Sequence, residues 1–230
     1  MSEGGDGYAV RLTLQSELQD SFPGLRAQLL MVEGLRILPQ TAELEAYKHE
    51  SFDGLRQSLD LSTLKDESRI RAYRDFFWRV GIDPTKIRPA SEALLRRVLR
   101  GKGIPIINTL VDAYNIASME SRVALAAFDL STLKGDLRMR FAEEGEEFLG
   151  IGMSSPVSLR GKEIVVEDDS GLVAVYPYRD ADSTKVSVKT EEAVIMVCGV
   201  PGIDQVAMVE AYDRADSLIT RFCEGKLSRL

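Results

Sequence analysis

Arg88-Pro-Ala-Ser-Glu-Ala-Leu-Leu-Arg-Arg-Val-Leu-Arg100, Ile104-Pro-Ile-Ile-Asn108, Leu110-Val-Asp-Ala-Tyr-Asn115 and Ala127-Phe-Asp129 follow one another along the middle of the chain. The first three read as helix and connection. Ser91 is placed to cap a helix over Glu92–Arg100, which Gly101 and Gly103 close. Pro105 is placed to open a second helix that runs to about Glu120. From Ala124 the texture changes to short apolar runs: Ala124–Phe128, Leu137–Phe141, Glu163–Glu167, Leu172–Tyr176, Lys185–Val188 and Ala193–Cys198. Clusters of Gly, Pro, Asp and Ser separate them, so they read as strands, with Asp168-Asp169-Ser170-Gly171 as a hairpin turn. Helices followed by strands predict an α+β fold, a mixed or antiparallel sheet core flanked by helices.

Upstream, Asp66–Val80 places Ile70, Tyr73, Phe77 and Val80 on one helical face and stops at Gly81. Ile82–Pro89 contains Asp83-Pro84 and Arg88-Pro89 and reads as a loop. Thr41 starts a helix that reaches about Leu59. Leu25–Leu38 is β-rich around Leu29-Leu30-Met31-Val32, with Gly34 marking a bulge or turn. Phe22-Pro23-Gly24 punctuates the chain, Ser16–Ser21 forms one helical turn and Tyr8–Leu14 alternates as a strand. Residues 1–7 are expected to fray. Downstream, Ile203–Cys223 is an amphipathic helix that uses Val206, Val209, Ala211, Leu218 and Phe222. Asp60-Leu-Ser-Thr-Leu-Lys65 recurs as Asp129-Leu-Ser-Thr-Leu-Lys134, a repeated use of capping chemistry and not a structural repeat.

The 230 residues carry a net charge of −7, which speaks against a nucleic-acid coat if the charge is spread evenly. It is not. Residues 69–102 hold 10 basic and 3 acidic side chains, and eight of the ten are arginine. The members are Arg69, Arg71, Arg74, Arg79, Lys86, Arg88, Arg96, Arg97, Arg100 and Lys102. Either these are solvated helix faces paired with acids elsewhere, or they hold an anion such as an RNA backbone or end. Under the second reading Arg71, Arg74, Arg88, Arg96, Arg97 and Arg100 bind RNA, joined by Ser91 at a helix N-terminus.

One histidine, His49, and two cysteines, Cys198 and Cys223, exclude a His/Cys zinc site and leave a catalytic triad only through His49. No metal or cofactor is expected. The cysteines read as buried free thiols, and with no signal-like N-terminus or apolar run of about 18 residues the expected place is the cytoplasm, without a membrane span. No P-loop, H-E-x-x-H or G-x-S-x-G occurs, and Gly150-Ile-Gly152 is too short a signal for a nucleotide loop.

The opening segments, in that order, resemble the B3/B4 domain of the phenylalanyl-tRNA synthetase beta subunit. There an arginine-bearing helix, P-I-N, V-V-D-x-x-N and A-F-D lead into a β-rich half. Tyr176-Pro-Tyr-Arg-Asp180, Thr184, Thr190 and the strand into Cys198-Gly-Val-Pro-Gly202 continue the likeness, which covers about residues 65–225. It implies a B3/B4-like tRNA-editing domain over residues 65–230, with residues 1–64 as an N-terminal extension packing on it. It further implies a stand-alone protein that hydrolyses a mischarged aminoacyl-tRNA in trans, with the tRNA acceptor end as partner. The family's His before A-F-D, which recognises a tyrosine hydroxyl, is Ala126 here, and a Glu of the later strand is Met196. Without those polar partners the site is not expected to be tyrosine-specific.

Substrate-assisted deacylation, as proposed for this editing class, needs no protein nucleophile. Asn115 and Asp112, three apart on one helix, are the catalytic candidates, or else a buried network tying helix to sheet. Tyr178, Arg179 and Asp180 are substrate-binding candidates: Arg179 suits a phosphate and Asp180 an ammonium, unless the two merely pair across a turn. Thr184 and Thr190 offer substrate hydroxyl contacts or ordinary strand and cap chemistry, while Ala126 and Met196 would line the pocket. The alternatives are a non-catalytic RNA- or tRNA-binding module and an amino-acid-binding pocket protein.

Overall fold

The computed structural model describes residues 10–229. The expected frayed residues 1–7, and Tyr8 and Ala9 of the first expected strand, lie outside the described residues. In chain order the elements are β1 (Leu12–Leu14), α1 (Ser16–Ser21), β2 (Arg26–Glu33), α2 (Ala42–Ser58), α3 (Ser68–Arg79), α4 (Ala90–Leu99) and α5 (Thr109–Ser121). Then come β3 (Ala124–Asp129), β4 (Leu137–Phe141), β5 (Glu144–Phe148), β6 (Val157–Arg160), β7 (Ile164–Glu167), β8 (Leu172–Tyr176) and β9 (Arg179–Asp180). The last are β10 (Ala193–Gly199), α6 (Gln205–Cys223) and β11 (Lys226–Arg229). The architecture is α+β, with a five-stranded mixed sheet, a four-stranded antiparallel sheet and a two-stranded antiparallel pair, β5–β6.

The antiparallel sheet runs β11-β2-β10-β3, and β3 and β10 are buried at every position. Their unbroken apolar runs follow from that burial, since a strand covered on both faces has no polar alternation. Helices α5 and α6 pack on each other and against β3 and β10. The mixed sheet runs β1-β4-β7-β8-β9, with β1 parallel to β4 and the rest antiparallel. Two tyrosines bolt the structure together. The Tyr73 hydroxyl donates to the Cys198 carbonyl and accepts from Ala124 N–H, closing the β3–β10 ladder at its last pair. The Tyr176 hydroxyl, from β8, lies 3.1 Å from the carbonyls of both Arg26 and Gly199.

Residues 10–64 contribute a central strand: β2 is hydrogen-bonded on both edges, between β10 and β11. The repeated hexapeptide is a repeated turn. Asp60 Oδ1 accepts from Ser62 N–H and Oγ, and Asp129 Oδ1 accepts from Ser131 N–H and Oγ. At the hairpin between β7 and β8, Asp168 Oδ1 likewise takes Ser170 and Gly171.

Four expectations are corrected. Pro105 does not open a helix. The Asn108 side chain accepts from Val111 N–H at 2.9 Å and starts α5 at Thr109, because a side-chain cap supplies the bond that a Pro start lacks. Ser91 is not a cap: Pro89 holds that position, and the Ser91 hydroxyl is buried inside the first turn without a partner. Lys185–Val188 is no strand. It makes one bridge, Lys185 to Phe128, and then bends so that Ser187 N–H reaches Thr190 Oγ1. Val206 is 71% exposed, while α6 buries the expected Ala211, Leu218 and Phe222 together with Ala207, Met208, Ala215 and Ile219.

Candidate functional site

A cavity of about 160 Å³ opens where α5, β3, β10 and the β8–β9 turn converge. Tyr114 and Asn115 enter it from α5, Ala124 to Ala126 from β3, and Met196 and Cys198 from β10. The β8–β9 turn adds Tyr176, Pro177, Tyr178, Arg179 and Asp180, with a cis peptide bond at Tyr176–Pro177, and Ala90 stands at the start of α4. Six of the sequence-predicted residues therefore meet here: Asn115, Ala126, Tyr178, Arg179, Asp180 and Met196.

Asp180 is the acidic group of the cavity wall. Pairing of β9 with β8 sets it opposite Ala174, and Ala127 N–H donates to its carboxylate. Burial pushes its pKa up to about 7, outweighing that hydrogen bond and the nearby Arg179 charge. Arg179 does not pair with it. Its guanidinium donates to the Ile151 carbonyl at 2.7 Å and lies over the Tyr178 ring. Gly150 makes that course possible, since a Cβ there would collide with the Arg179 side chain.

Asp112 is separated from Asn115. Its carboxylate accepts from Lys48 and from Ile107 N–H at the N-terminal end of α5, and both Lys48 and Asp112 are buried. Burial is the largest influence on Asp112 and raises its carboxyl above the usual range. This is the helix-tying network, and the expected Asp112–Asn115 pair does not form. Thr190 is a loop lock, donating to Asp129 Oδ2 at 2.6 Å. Thr184 sits buried in a short 3-10 turn, outside the cavity lining. His49 is exposed on α2, outside the lining of this cavity.

Sequence reasoning missed Tyr114, Tyr176 and Cys198. Tyr114 was within reach, as the neighbour of Asn115 in a helix interior. Burial raises the Tyr114 hydroxyl and holds the Cys198 thiol well above its usual range, so neither is a ready nucleophile.

The arginine-rich window divides in two. Arg74 and Arg96 both bind the fully buried Glu92, at 3.0 and 2.7 Å. Arg69 pairs with Glu210, and Arg79 donates to the Ser21 carbonyl and covers the Phe22 ring. By contrast Arg71, Arg88, Arg97 and Arg100 are exposed. Arg88 and Arg100 make no side-chain hydrogen bond or ion pair among the described residues, Arg97 donates only to the Gly103 carbonyl, and Arg71 has a loose contact with Asp75 at 3.8 Å.

A second cavity, about 400 Å³, lies between the 82–89 loop, the β5–β6 hairpin and β8. Val175 and Tyr178 line both cavities. Among the described residues no helix is long and apolar enough to cross a membrane, and no cluster of His, Cys, Asp and Glu is built to hold a metal.

Comparison with known proteins places this geometry. The family model for the B3/4 domain matches residues 72–224. The phenylalanine–tRNA ligase beta subunit of Chromobacterium violaceum is 25% identical over 244 residues, covering 95% of this chain and 29% of the ligase subunit. That of Nocardia farcinica is 31% identical over 115 residues, covering 50% and 13%. The chain thus spans less than a third of the length of these relatives. Among solved structures, an N-terminal fragment of the phenylalanyl-tRNA synthetase beta subunit from Pyrococcus horikoshii superposes with a TM-score of 0.53 at 15% identity. That match covers 96% of this chain and 50% of the fragment, and carries the fold alone. With the domain model spanning α3 to α6 and the cavity held within that span, the chain belongs to the B3/4-domain family.

Proposed function

We propose that the chain hydrolyses the ester of a mischarged aminoacyl-tRNA in trans, with the substrate assisting and without specificity for tyrosine. The observation that supports this reading best is the cavity itself. It sets one ionisable carboxylate, Asp180, and one amide, Asn115, against an apolar floor of Ala126 and Met196. Asp180 suits the α-ammonium of an amino acid, and the floor suits an uncharged side chain. Asn115 orients the ester carbonyl or the attacking water, as a neutral group that both donates and accepts.

In the reaction water attacks the ester carbonyl. The acyl C–O bond to the terminal ribose breaks, and the ribose oxygen leaves with the proton that the water gives up. The neighbouring ribose hydroxyl relays that proton, so no side chain need be a base or nucleophile. The raised thiol of Cys198 fits such chemistry, since a buried thiol contributes little thiolate at neutral pH.

The test is release of amino acid from a panel of charged tRNAs above the spontaneous rate. Asn115→Ala should lower the rate at least tenfold with the melting temperature unchanged. Silence across the panel at high protein concentration overturns the enzymatic reading, and RNA binding that persists without turnover would make the chain a binding module.

A further inference from the structure

Gly150-Ile-Gly152 has no part in the reading above. It belongs to residues 149–153, which leave β5 and run along β9, the edge strand of the five-stranded sheet. Gly150 bridges Ala181 there. Ile151 N–H donates to the Asp180 carbonyl at 2.9 Å, and Asp182 N–H donates to the Leu149 carbonyl at 3.0 Å. Met153 N–H closes back on the Gly150 carbonyl, so the segment turns at Gly152, whose φ is +78°. This strap is therefore fastened to the backbone of the residue that supplies the acid of the smaller cavity.

The strap also holds Arg179. The guanidinium donates to the Ile151 carbonyl and lies 5.2 Å from the centre of the Tyr178 ring. The hold is incomplete, because Arg179 Nε is buried without a hydrogen-bond partner among the described residues, and an unpaired buried donor is costly. The neighbouring Asp180 offers the charge that would satisfy it. Adjacent strand residues face opposite ways, so the guanidinium reaches that carboxylate only by leaving the strap. Room for the held position exists because residue 150 has no side chain. A Cβ there would run into Cδ and Cγ of Arg179 and into the Phe148 ring. Gly150 is not in the left-handed region, so the fold uses its missing Cβ and not its backbone freedom.

Among the residues lining the smaller cavity, Arg179 is the one cation and Asp180 the one carboxylate. Tyr114 faces Asp180 from α5 and Cys198 from β10, both kept protonated by burial. Ala127 N–H donates to it from β3, and Ala174 opposite it on β8 carries no charge. The seat of the Arg179 guanidinium thus decides whether the cavity is acidic or neutral.

We propose that Gly150 and its strap are a positioning device that keeps Arg179 off Asp180, leaving the smaller cavity an acidic receptor for a primary ammonium group. The proposal rests on the hydrolysis reading only in making that ammonium the one of an aminoacyl ester. Carbon-13 NMR of the aspartate carboxyl groups follows Asp180 through a pH titration of the full chain, its signal assigned by its loss in Asp180→Asn. Gly150→Ala should expel Arg179 and lower the Asp180 midpoint by about one pH unit, since a cation brought nearer favours the carboxylate. Adding Arg179→Met should abolish that drop and return the midpoint to the parent value or above. Tyr178→Leu, which removes the ring beneath the guanidinium, should lower the midpoint in the same direction and reports where the alanine variant does not fold. In parallel, alaninol titrated at pH 8 should bind the parent, lose at least fivefold in affinity with Gly150→Ala and regain it with Arg179→Met added. A midpoint unmoved by Gly150→Ala and Tyr178→Leu overturns the device. So does a drop that persists without Arg179, or failure of alaninol to bind the parent. If both arms behave as expected and no tRNA is deacylated, the positioning stands and the hydrolysis falls. If tRNA is deacylated while the midpoint does not move, the hydrolysis stands and the positioning falls.

Discussion

Ala126 of β3 and Met196 of β10 are register partners across the antiparallel ladder, and both line the smaller cavity. If the cavity takes a substrate side chain as proposed, the room above Ala126 and Met196 sets how large that side chain can be. A cavity of about 150 Å³ holds a benzene ring, so the 160 Å³ found here leaves little beyond a modest apolar group. Met196→Ala should cost about 2–5 kcal/mol of stability and shift any activity toward bulkier amino acids. Ala126→Leu should lower activity toward every substrate. Deacylation rates across a size series of aminoacyl esters, read beside urea unfolding, check both.

Asp180 should make ligand binding depend on pH. Its folded-state pKa of about 7 lies above the ordinary value of 3.8, so the folded protein holds a proton there that the unfolded chain has lost. The stability from this group is full below about pH 4, falls as pH rises toward 7 and is level above it. Asp180→Asn should therefore raise stability at pH 8 by about 1–2 kcal/mol, discounted for solvent in the open cavity. At pH 4 it should change little. An amine ligand should bind more tightly as pH rises through 7, and Asp180→Asn should flatten that rise. Melting curves and amino-acid titrations at both pH values check the pair.

Lys48 and Asp112 pair in the core at the start of α5, outside the lining of the smaller cavity. Lys48→Met strands a buried carboxylate and should cost about 3–5 kcal/mol. Lys48→Met with Asp112→Leu should recover much of that loss. Activity per folded molecule should match the parent in the double variant, and a double-mutant cycle of unfolding free energies measures the coupling.

The arginines should separate by experiment. Arg74→Ala or Arg96→Ala leaves Glu92 with a single partner in a buried setting and should cost about 2–4 kcal/mol of stability. Arg88→Ala and Arg100→Ala should leave stability within about 0.5 kcal/mol. Each should reduce the slope of log affinity against log salt for RNA by about 0.7. Chemical unfolding and salt-dependent RNA titrations distinguish the two groups.

What the sequence disclosed follows where local physics was decisive. The uninterrupted apolar runs of β3 and β10 could be little other than buried strands. Turn chemistry at Asp60, Asp129 and Asp168 was legible because a side chain bonds its own backbone two residues on. The β5–β6 hairpin was missed because Glu144–Phe148 is mostly exposed and carries no apolar alternation. Ser91 misled because capping preference names a residue type, while Pro89 took the position. The cavity was half legible. The β8–β9 turn, Asn115, Ala126 and Met196 were singled out separately, but only the pairing of β8 with β9 and β3 with β10 brings them together. Asp112 looked like a partner of Asn115 because both stand on α5. Nothing local announced that Lys48, 64 positions earlier, would claim its carboxylate.

The placement of β2 has a consequence for synthesis. Val32 pairs with Ala193, and Leu227 of β11 closes the opposite edge of the same strand. A ribosome adding about 5–20 residues per second needs roughly 8–30 s to travel from one partner to the other. Throughout that interval Leu29 to Val32 is an apolar strand with neither edge matched. A chain ended before β10 would carry β2 without either of its partner strands and leave that sheet unclosed.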